Sequence, residues 1–271
     1  YRTGCKIAVV DGTGKVLATT VVYPTPPQNK KETAKAELKE LIDKYHVDVI
    51  SIGNGTASKE SEIFVADLVK DYGGKVVYAV VSEAGASVYS GSPLAAKEFP
   101  NYDLTLRSAI SIARRLQDPL AELIKIDPKA IGVGQYQHDM PEARLDEVLN
   151  GVLEDCVNSV GVDLNTASCA LLSRVSGLNG SIANNIVAYR EQNGKFRSRR
   201  ELLKVNKLGA KAYEQCAGFL RIRDGSNILD NTAVHPESYD ATEKLLKLFG
   251  YTDEDVAERK LGDLPVQIKR Y

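Results

Sequence analysis

Hydrophobic and polar positions in the first half of the chain follow two alternating periods. Short apolar and β-branched runs predict four strands, at Cys5–Val10, Val16–Tyr23, Val47–Ile52 and Lys75–Val81. Between and after them, apolar residues recur every three or four positions, which predicts helices at Lys30–Tyr45, from Ser58 onward, and at Leu104–Ile126. A β-hairpin followed by helix, strand, helix, strand and helix predicts a mixed sheet with helices on its faces.

The pattern changes from about Leu145 onward, where the strands give way to helices joined by short glycine-bearing turns. Two segments, Leu172–Tyr189 and Leu202–Leu220, each lead from an apolar pair through a tight turn into a helix. Their offset of about 30 residues indicates an internal duplication. The acidic stretch that follows predicts one amphipathic helix, Tyr239–Phe249.

The two predicted turns carry the most specific chemistry in the sequence. A helix, a turn around a buried apolar residue and a second helix form a helix-hairpin-helix. Its backbone N–H groups and helix N-terminus converge on one spot, where they can bind a phosphate oxygen without reading a base. The candidate phosphate-binding residues are Gly177, Leu178, Asn179 and Gly180 in the first turn and Lys207, Leu208 and Gly209 in the second.

The charge distribution points to the same region. The formal net charge is −1, but residues 163–224 contain 11 Lys and Arg against 5 Asp and Glu, whereas residues 225–271 contain 6 against 9. A basic segment of this kind indicates a phosphate-bearing partner. We therefore add Arg197, Arg199, Arg200 and Lys211 to the candidate nucleic-acid-binding residues. Phe196 is interpreted as a core anchor rather than as a base-stacking residue.

Composition excludes several other classes of protein. With 43% hydrophobic and 26% charged residues in 271, the chain is neither disordered nor a disulfide scaffold. No apolar run approaches the roughly 18–20 residues that span a bilayer, so we expect no membrane partner. The four cysteines are far apart, which predicts reduced thiols, a cytoplasmic location, and neither a metal site nor a cofactor. Because the chain begins at Tyr1 without an initiator Met, we expect it to be a piece of a longer protein.

The strand pattern of the first half, with Glu83 directly after the fourth predicted strand, resembles the ribonuclease-H-like fold of the YqgF and RuvC branch. Nucleases of that branch hold two Mg²⁺ ions with three or four carboxylates. Glu83 matches the second carboxylate of that set, whereas Asp11 is interpreted as a turn residue. The third position reads Arg107-Ser108, and neither residue can replace an aspartate as a Mg²⁺ ligand. The resemblance implies that the first strand of the fold precedes Tyr1 and that nuclease activity is lost.

Longer motifs narrow the resemblance. Ser51–Ser58, Val81–Tyr89, Ser111–Pro119 and Ile131–Asp139 are similar to the bacterial Tex family of transcription-accessory proteins, and Val162–Arg197 resembles the tandem helix-hairpin-helix of DNA-uptake proteins. The family hairpin is Gly-hydrophobic-Gly. Here Asn179, which tolerates the left-handed conformation, closes the first hairpin, and Lys207 opens the second. The resemblance implies a cytoplasmic nucleic-acid-binding factor, with a helical region before this segment and an S1-type OB-fold domain after it.

These observations give one expected architecture and two expected functions. We expect an α/β ribonuclease-H-like mixed sheet over residues 1–135, an all-α tandem helix-hairpin-helix domain over residues 136–225, and an acidic helical tail over residues 226–271. The favoured function is a monomeric, non-enzymatic, sequence-tolerant scaffold that binds the RNA or DNA backbone and works with the transcription machinery. The alternative is a metal-dependent nuclease or Holliday-junction resolvase of the YqgF/RuvC type that uses Glu83.

Overall fold

The computed structural model describes residues 3–271, which form two compact units that divide between Leu145 and Asp146. The first unit contains all four of the longer strands, and the second is mainly helical. The predicted domain boundaries near residues 135 and 225 stay predictions. Among the described residues, no helix is both long and apolar enough to cross a membrane.

The first unit begins with the predicted hairpin. Strands β1 (Cys5–Val10) and β2 (Val16–Val22) pair antiparallel, with a bulge between Val9 and Val10. The connecting turn is built on Asp11, whose Oδ1 accepts hydrogen bonds from the backbone N–H groups of Thr13 (2.8 Å) and Lys15 (3.1 Å). The interpretation of Asp11 as a turn residue is therefore confirmed.

Helices alternate with strands in the next segment, as predicted. Helix α1 (Lys31–Tyr45) precedes strand β3 (Val49–Gly53), and helix α2 (Ser58–Lys70) precedes strand β4 (Val77–Val81), which pairs parallel with β3. Both helices are amphipathic and bury one face in a shared cluster around Leu38, Ile42, Leu68 and Val76. Helix α2 packs on both strands of this parallel pair, whereas Val49, Val77 and Val80 are exposed, so only part of the pair is covered.

The end of the first unit differs from the prediction. Short helices α3 (Ala86–Ser90) and α4 (Pro93–Glu98) follow β4, and the expected single helix from Leu104 to Ile126 is wrong. It is divided into α5 (Leu104–Gln117) and α6 (Pro119–Leu123), followed by α7 (Pro128–Ile131). The break occurs because Pro119 has no N–H to donate and because the Asp118 side chain caps α6 by accepting from the Ala121 N–H (3.0 Å).

A buried charged network holds these short helices together. The Lys125 side chain is fully buried and donates to Glu122 Oε1 (2.7 Å) and Glu98 Oε2 (3.1 Å). Ser111 Oγ donates to the other oxygen of Glu122 (2.8 Å), and the Tyr89 hydroxyl donates to Glu98. Buried charges need such mutual partners, so this network fixes how α3, α4, α5 and α6 pack.

The second unit is built almost entirely from short helices. Helix α8 (Glu142–Val160) leads into it, and strands β5 (Val162–Asp163) and β6 (Leu220–Arg221) form a small parallel pair. Phe196, Leu202, Leu220 and Ile222 are among its buried residues. The remaining helices are α9 (Cys169–Leu172), α10 (Gly180–Asn193), α11 (Ala210–Cys216), α12 (Tyr239–Leu248), α13 (Asp253–Ala257) and α14 (Leu264–Arg270).

Candidate nucleic-acid interface

The first predicted hairpin turn lies between α9 and α10. The Leu178 N–H donates to the Val175 carbonyl (3.1 Å), which closes the turn, and both side chains are buried. Gly177 sits at the tip with a φ of +81°, in the left-handed region that favours glycine. A Cβ at this position would lie 2.6 Å from the Gln215 Cβ, so a side chain at Gly177 would also clash with α11.

The second hairpin turn repeats the first. The Leu208 N–H donates to the Val205 carbonyl at the same distance of 3.1 Å, and Leu208 and Val205 are also buried. Lys207 occupies the position of Gly177 and has a φ of +66°. The left-handed conformation costs an L-residue roughly 1–2 kcal/mol, and the second turn adopts the hairpin geometry at that cost. The internal duplication is confirmed.

The two hairpins support each other directly. The Asn185 side chain of α10 donates to the Asn206 carbonyl in the second turn (2.8 Å). From the same turn, Lys207 Nζ donates to Ser181 Oγ in the first turn of α10 (3.3 Å). A cation from one hairpin therefore lies next to the N-terminus of the helix that follows the other. Lys207 is exposed, so its ammonium remains open to solvent and to ligands.

Both following helices begin at an exposed N-terminus. Asn179 is extended, with a φ of −114°, and its Oδ1 accepts from the Ile182 N–H (3.0 Å). Asn179 is thus the N-cap of α10 rather than a left-handed residue, which corrects the sequence-based interpretation. Gly209 is the corresponding extended residue before α11 and has no side chain with which to cap it. The positive ends of the two helix dipoles lie at exposed Gly180 and Gly209.

The structure separates the basic candidates into two groups. Arg197, Arg200 and Lys211 are exposed, and each can reach a ligand from the surface. Arg199 is only 1% exposed, and its guanidinium donates to the carbonyls of Leu220 (2.8 Å) and Val234 (2.7 Å). The prediction that Arg199 contacts nucleic acid is wrong, because its donors are already engaged inside the protein.

The aromatic residue between the basic positions is an anchor, as predicted. Phe196 is 1% exposed, and the Asn165 side chain holds its backbone, with a bond from the Phe196 N–H to Oδ1 (2.8 Å) and one from Nδ2 to the Phe196 carbonyl (3.0 Å). Sequence reasoning missed the partner of this ring. Tyr189, at the end of α10, stacks on Phe196 with 5.1 Å between the ring centroids.

The acidic candidate of the first unit lies in the loop after β4. Glu83 is exposed, its backbone N–H donates to Asn54 Oδ1 (3.0 Å), and its carboxylate lies against the Gly55 backbone, where an added Cβ would overlap it. The loop is fixed from behind by Arg115 Nη1, which donates to the carbonyls of Ser82 (2.9 Å) and Ala84 (2.8 Å). Burial lowers the pKa of Arg115 from its usual value.

The position expected for a third carboxylate is engaged in packing. Arg107 Nε donates to the Phe99 carbonyl (3.1 Å), and Ser108 Oγ donates to the Leu104 carbonyl (3.2 Å). Within residues 3–271, no group of three or more His, Cys, Asp or Glu side chains is arranged to hold a metal ion. Among the described residues, Glu83 is therefore not part of a carboxylate cluster of the kind that a two-metal site requires.

Glu83 also lines one part of a cleft of about 780 Å³ in the first unit. The cleft is lined along the full lengths of both β1 and β3, and α5 contributes Ile112 and Leu116. In the described residues, β1–β2 and β3–β4 are separate two-stranded sheets. An apolar cleft that borders two strands from different sheets is suited to an extended chain segment.

Three family models match the chain. The Tex protein YqgF-like domain matches residues 1–117, a helix-hairpin-helix motif matches residues 157–221, and a second helix-hairpin-helix domain matches residues 227–269. The last match covers the segment that sequence reasoning described only as an acidic tail. Residues 225–271 contain 6 Lys and Arg against 9 Asp and Glu, so the charge distribution gave no indication of a nucleic-acid-binding motif there.

Curated relatives match nearly the whole chain. The uncharacterized protein YdcI of Bacillus subtilis is 54% identical over 97% of the chain and 37% of its own length. Protein tex of Bordetella pertussis is 58% identical over 90% of the chain and 31% of its own length, and the transcriptional accessory protein Tex of Neisseria gonorrhoeae is 56% identical over 93% and 33%. The chain therefore spans about a third of the length of these relatives.

Proposed function

Because the chain belongs to the Tex family, we propose that it is a non-enzymatic, sequence-tolerant nucleic-acid-binding scaffold of a transcription accessory factor. The observation that carries the proposal is the paired hairpins, with equivalent turns, exposed helix N-termini and Lys207 beside the first of them. Such turns bind phosphate oxygens through backbone N–H groups, which carry no base information. In this proposal the scaffold acts as a monomer in the cytoplasm, on the RNA or DNA backbone and with the transcription machinery.

The proposal also assigns the first unit to the ribonuclease-H-like fold. The order of the elements along the chain supports this assignment, since the mixed sheet requires a hairpin, then a parallel strand pair, then a long helix. Helix α5 packs on both β1 and β3. The cleft along β1 and β3 would accept one further strand, which would join the two small sheets into one. This proposal gives the first unit no catalytic role.

The absence of nuclease activity is part of the proposal. Arg107 and Ser108 stand where a third carboxylate would be needed, and neither side chain binds Mg²⁺. Purified chain, incubated with four-way junction, duplex DNA and RNA in Mg²⁺ and then Mn²⁺, should leave all three intact. Metal-dependent cleavage that disappears in Glu83→Ala would instead establish the resolvase alternative.

Phosphate binding is tested by the salt dependence of affinity. We expect a dissociation constant on the order of 10⁻⁴–10⁻⁶ M at physiological salt, nearly independent of sequence. In the triple variant Arg197→Ala, Arg200→Ala and Lys211→Ala, the slope of log K against log salt should be smaller by about two to three, because each lost phosphate contact removes roughly 0.7–0.9. Fluorescence anisotropy with matched RNA and DNA probes gives both quantities.

A control variant separates local contact from total charge. Lys59→Ala, Lys244→Ala and Lys247→Ala removes three other exposed cations, one in the first unit and two on α12. It should retain most of the parent's affinity and nearly the same slope. If the two triple variants weaken binding equally, only net charge matters and the hairpins are not the contact surface.

A further inference from the structure

A second feature of the helix-hairpin-helix unit lies beyond the turns, at the C-terminal end of α10. It is an open surface concavity of about 390 Å³. Its lining residues are Tyr189, Asn193, Gly194, Lys195, Arg197 and Glu201.

The aromatic surface in this concavity is rigidly supported. The Tyr189 ring stacks on Phe196 with 5.1 Å between centroids and 24° between ring planes. Phe196 is buried and is held at both backbone polar groups by Asn165. Tyr189 itself is only partly buried, so one ring face is fixed by Phe196 while the side chain still lines the concavity. A preorganised, partly exposed ring of this kind is a stacking surface for a nucleobase.

Two cations line the same concavity as the ring. Lys195 and Arg197 flank Phe196 in the sequence and are both exposed, as expected where an extended segment points its middle residue inward. The Arg197 backbone is fixed on both sides, because its N–H donates to Glu201 Oε2 (3.1 Å) and its carbonyl accepts from the Ser226 N–H (2.8 Å). The two cations outweigh the single Glu201 carboxylate, which leaves a local net positive charge for phosphates.

We propose that Tyr189 is a stacking platform for one unpaired nucleobase, with Lys195 and Arg197 on the phosphates beside it. This inference rests on the proposed function and specifies its ligand as single-stranded nucleic acid. A base in a duplex is already stacked and paired, whereas a base in a single strand has a free face. Ser181 and Tyr189 are eight positions apart, which corresponds to about 12 Å of helix, so one strand can contact both the first hairpin and the platform.

The test uses the whole chain, three variants and three probes. Tyr189→Leu keeps an apolar side chain on Phe196 but removes the stacking ring, while Tyr189→Phe and Tyr189→Trp retain one. Probes are a single-stranded RNA, a single-stranded DNA of the same sequence and the DNA duplex, with 2-aminopurine in each to report base stacking by fluorescence quenching. The RNA and DNA arms show which kind of single strand is the better ligand.

We expect Tyr189→Leu to weaken single-strand binding roughly five- to hundredfold and to abolish the quenching, with less than a twofold effect on the duplex. Tyr189→Phe and Tyr189→Trp should bind and quench like the parent. The platform is refuted if Tyr189→Leu folds and binds single strands like the parent. It is also refuted if Tyr189→Leu does not fold and Tyr189→Phe, although folded, loses binding. In both cases the proposal of phosphate binding by the hairpins stands. If the parent chain binds none of the probes, both proposals fail.

Discussion

Replacing Arg199 should lower the free energy of unfolding of the second unit far more than replacing its neighbour Arg200. Both are arginines in the same basic run, but Arg199 is 1% exposed and Arg200 is exposed. We choose Arg199→Met, which preserves much of the side-chain volume and removes the charge and the donors, and Arg200→Met as the matched control.

The structure sets the expected magnitude. In Arg199→Met, the carbonyls of Leu220 and Val234 and the hydroxyl of Tyr239 lose donors at 2.7–2.8 Å. Asp230, which is 2% exposed, keeps its bonds from Tyr239 (2.6 Å) and from the backbone N–H of residue 199 (3.2 Å), but it loses the nearby cation. Each buried acceptor that is left without its donor costs about 1–3 kcal/mol, so the three lost donors predict a loss of about 3–5 kcal/mol in the free energy of unfolding. For a unit of this size the melting temperature should fall by roughly 10–20 °C.

Cys216 provides a probe specific to the second unit, because its thiol is fully buried there. Pulse alkylation of Cys216 at increasing urea concentrations, read by mass spectrometry, gives the unfolding midpoint of that unit. Arg199→Met should shift the midpoint strongly, and Arg200→Met should change the free energy by no more than about 0.5 kcal/mol. Equal midpoints for the two variants would show that the buried network around Arg199 contributes nothing to stability.

Three other predictions follow from individual groups. Burial, together with Glu98, raises the pKa of Tyr89 above its usual value, so the contribution of Tyr89 to folding stability is fully present below pH 10 and is lost as pH rises above it. In urea titrations between pH 10 and 12, Tyr89→Phe should therefore lessen the fall in the free energy of unfolding by about 1.4 kcal/mol per pH unit. An unchanged slope would contradict the burial of this hydroxyl. Lys207→Gly should keep or raise the melting temperature, because glycine adopts the left-handed conformation without strain. The same change should weaken binding to RNA and DNA probes. A lower melting temperature would argue against a strained turn. Burial raises the pKa of the Cys216 thiol to about 12. At pH 8, iodoacetamide should therefore modify exposed Cys156 quickly and Cys216 only on unfolding. Comparable modification rates of the two thiols, measured by mass spectrometry, would contradict the packing around α11.

Hydrophobic periodicity correctly predicted the helices and strands in which the spacing of apolar residues matches the element that forms. The hairpin β1–β2, the helices α1 and α2 and the pair β3–β4 all lie within two residues of the predicted positions. The helix from Leu104 was predicted too long because its apolar spacing continues past the break. Asp118 and Pro119 end the helix despite that periodicity. Pro119 has no N–H to continue the helical hydrogen bonds, and the Asp118 side chain caps the next helix.

The candidate site was predictable in its turns and not in its side-chain environments. Turn chemistry identified both hairpins, because a buried apolar residue between turn residues is a local signal. The fate of each arginine in the run 197–200 depends on what covers it, and Arg199 is covered by the carbonyls of Leu220, Thr232 and Val234, which lie more than 20 residues away. Tyr189 and Phe196 are only seven positions apart, but neither the charge distribution nor the turn residues indicate that their rings stack.

Backbone amide shifts on adding an oligonucleotide show whether the two hairpin turns contact nucleic acid. In the ¹⁵N-labelled chain, a short single-stranded RNA or DNA should move the amide signals of residues 177–181 and 207–212, where the hairpin turns and the first turns of α10 and α11 lie. Inorganic phosphate at high concentration should move the same signals in the same direction, because the contact is with phosphate oxygens. If the oligonucleotide binds and shifts signals elsewhere while those of both turns stay unchanged, the hairpins are not the nucleic-acid-binding site.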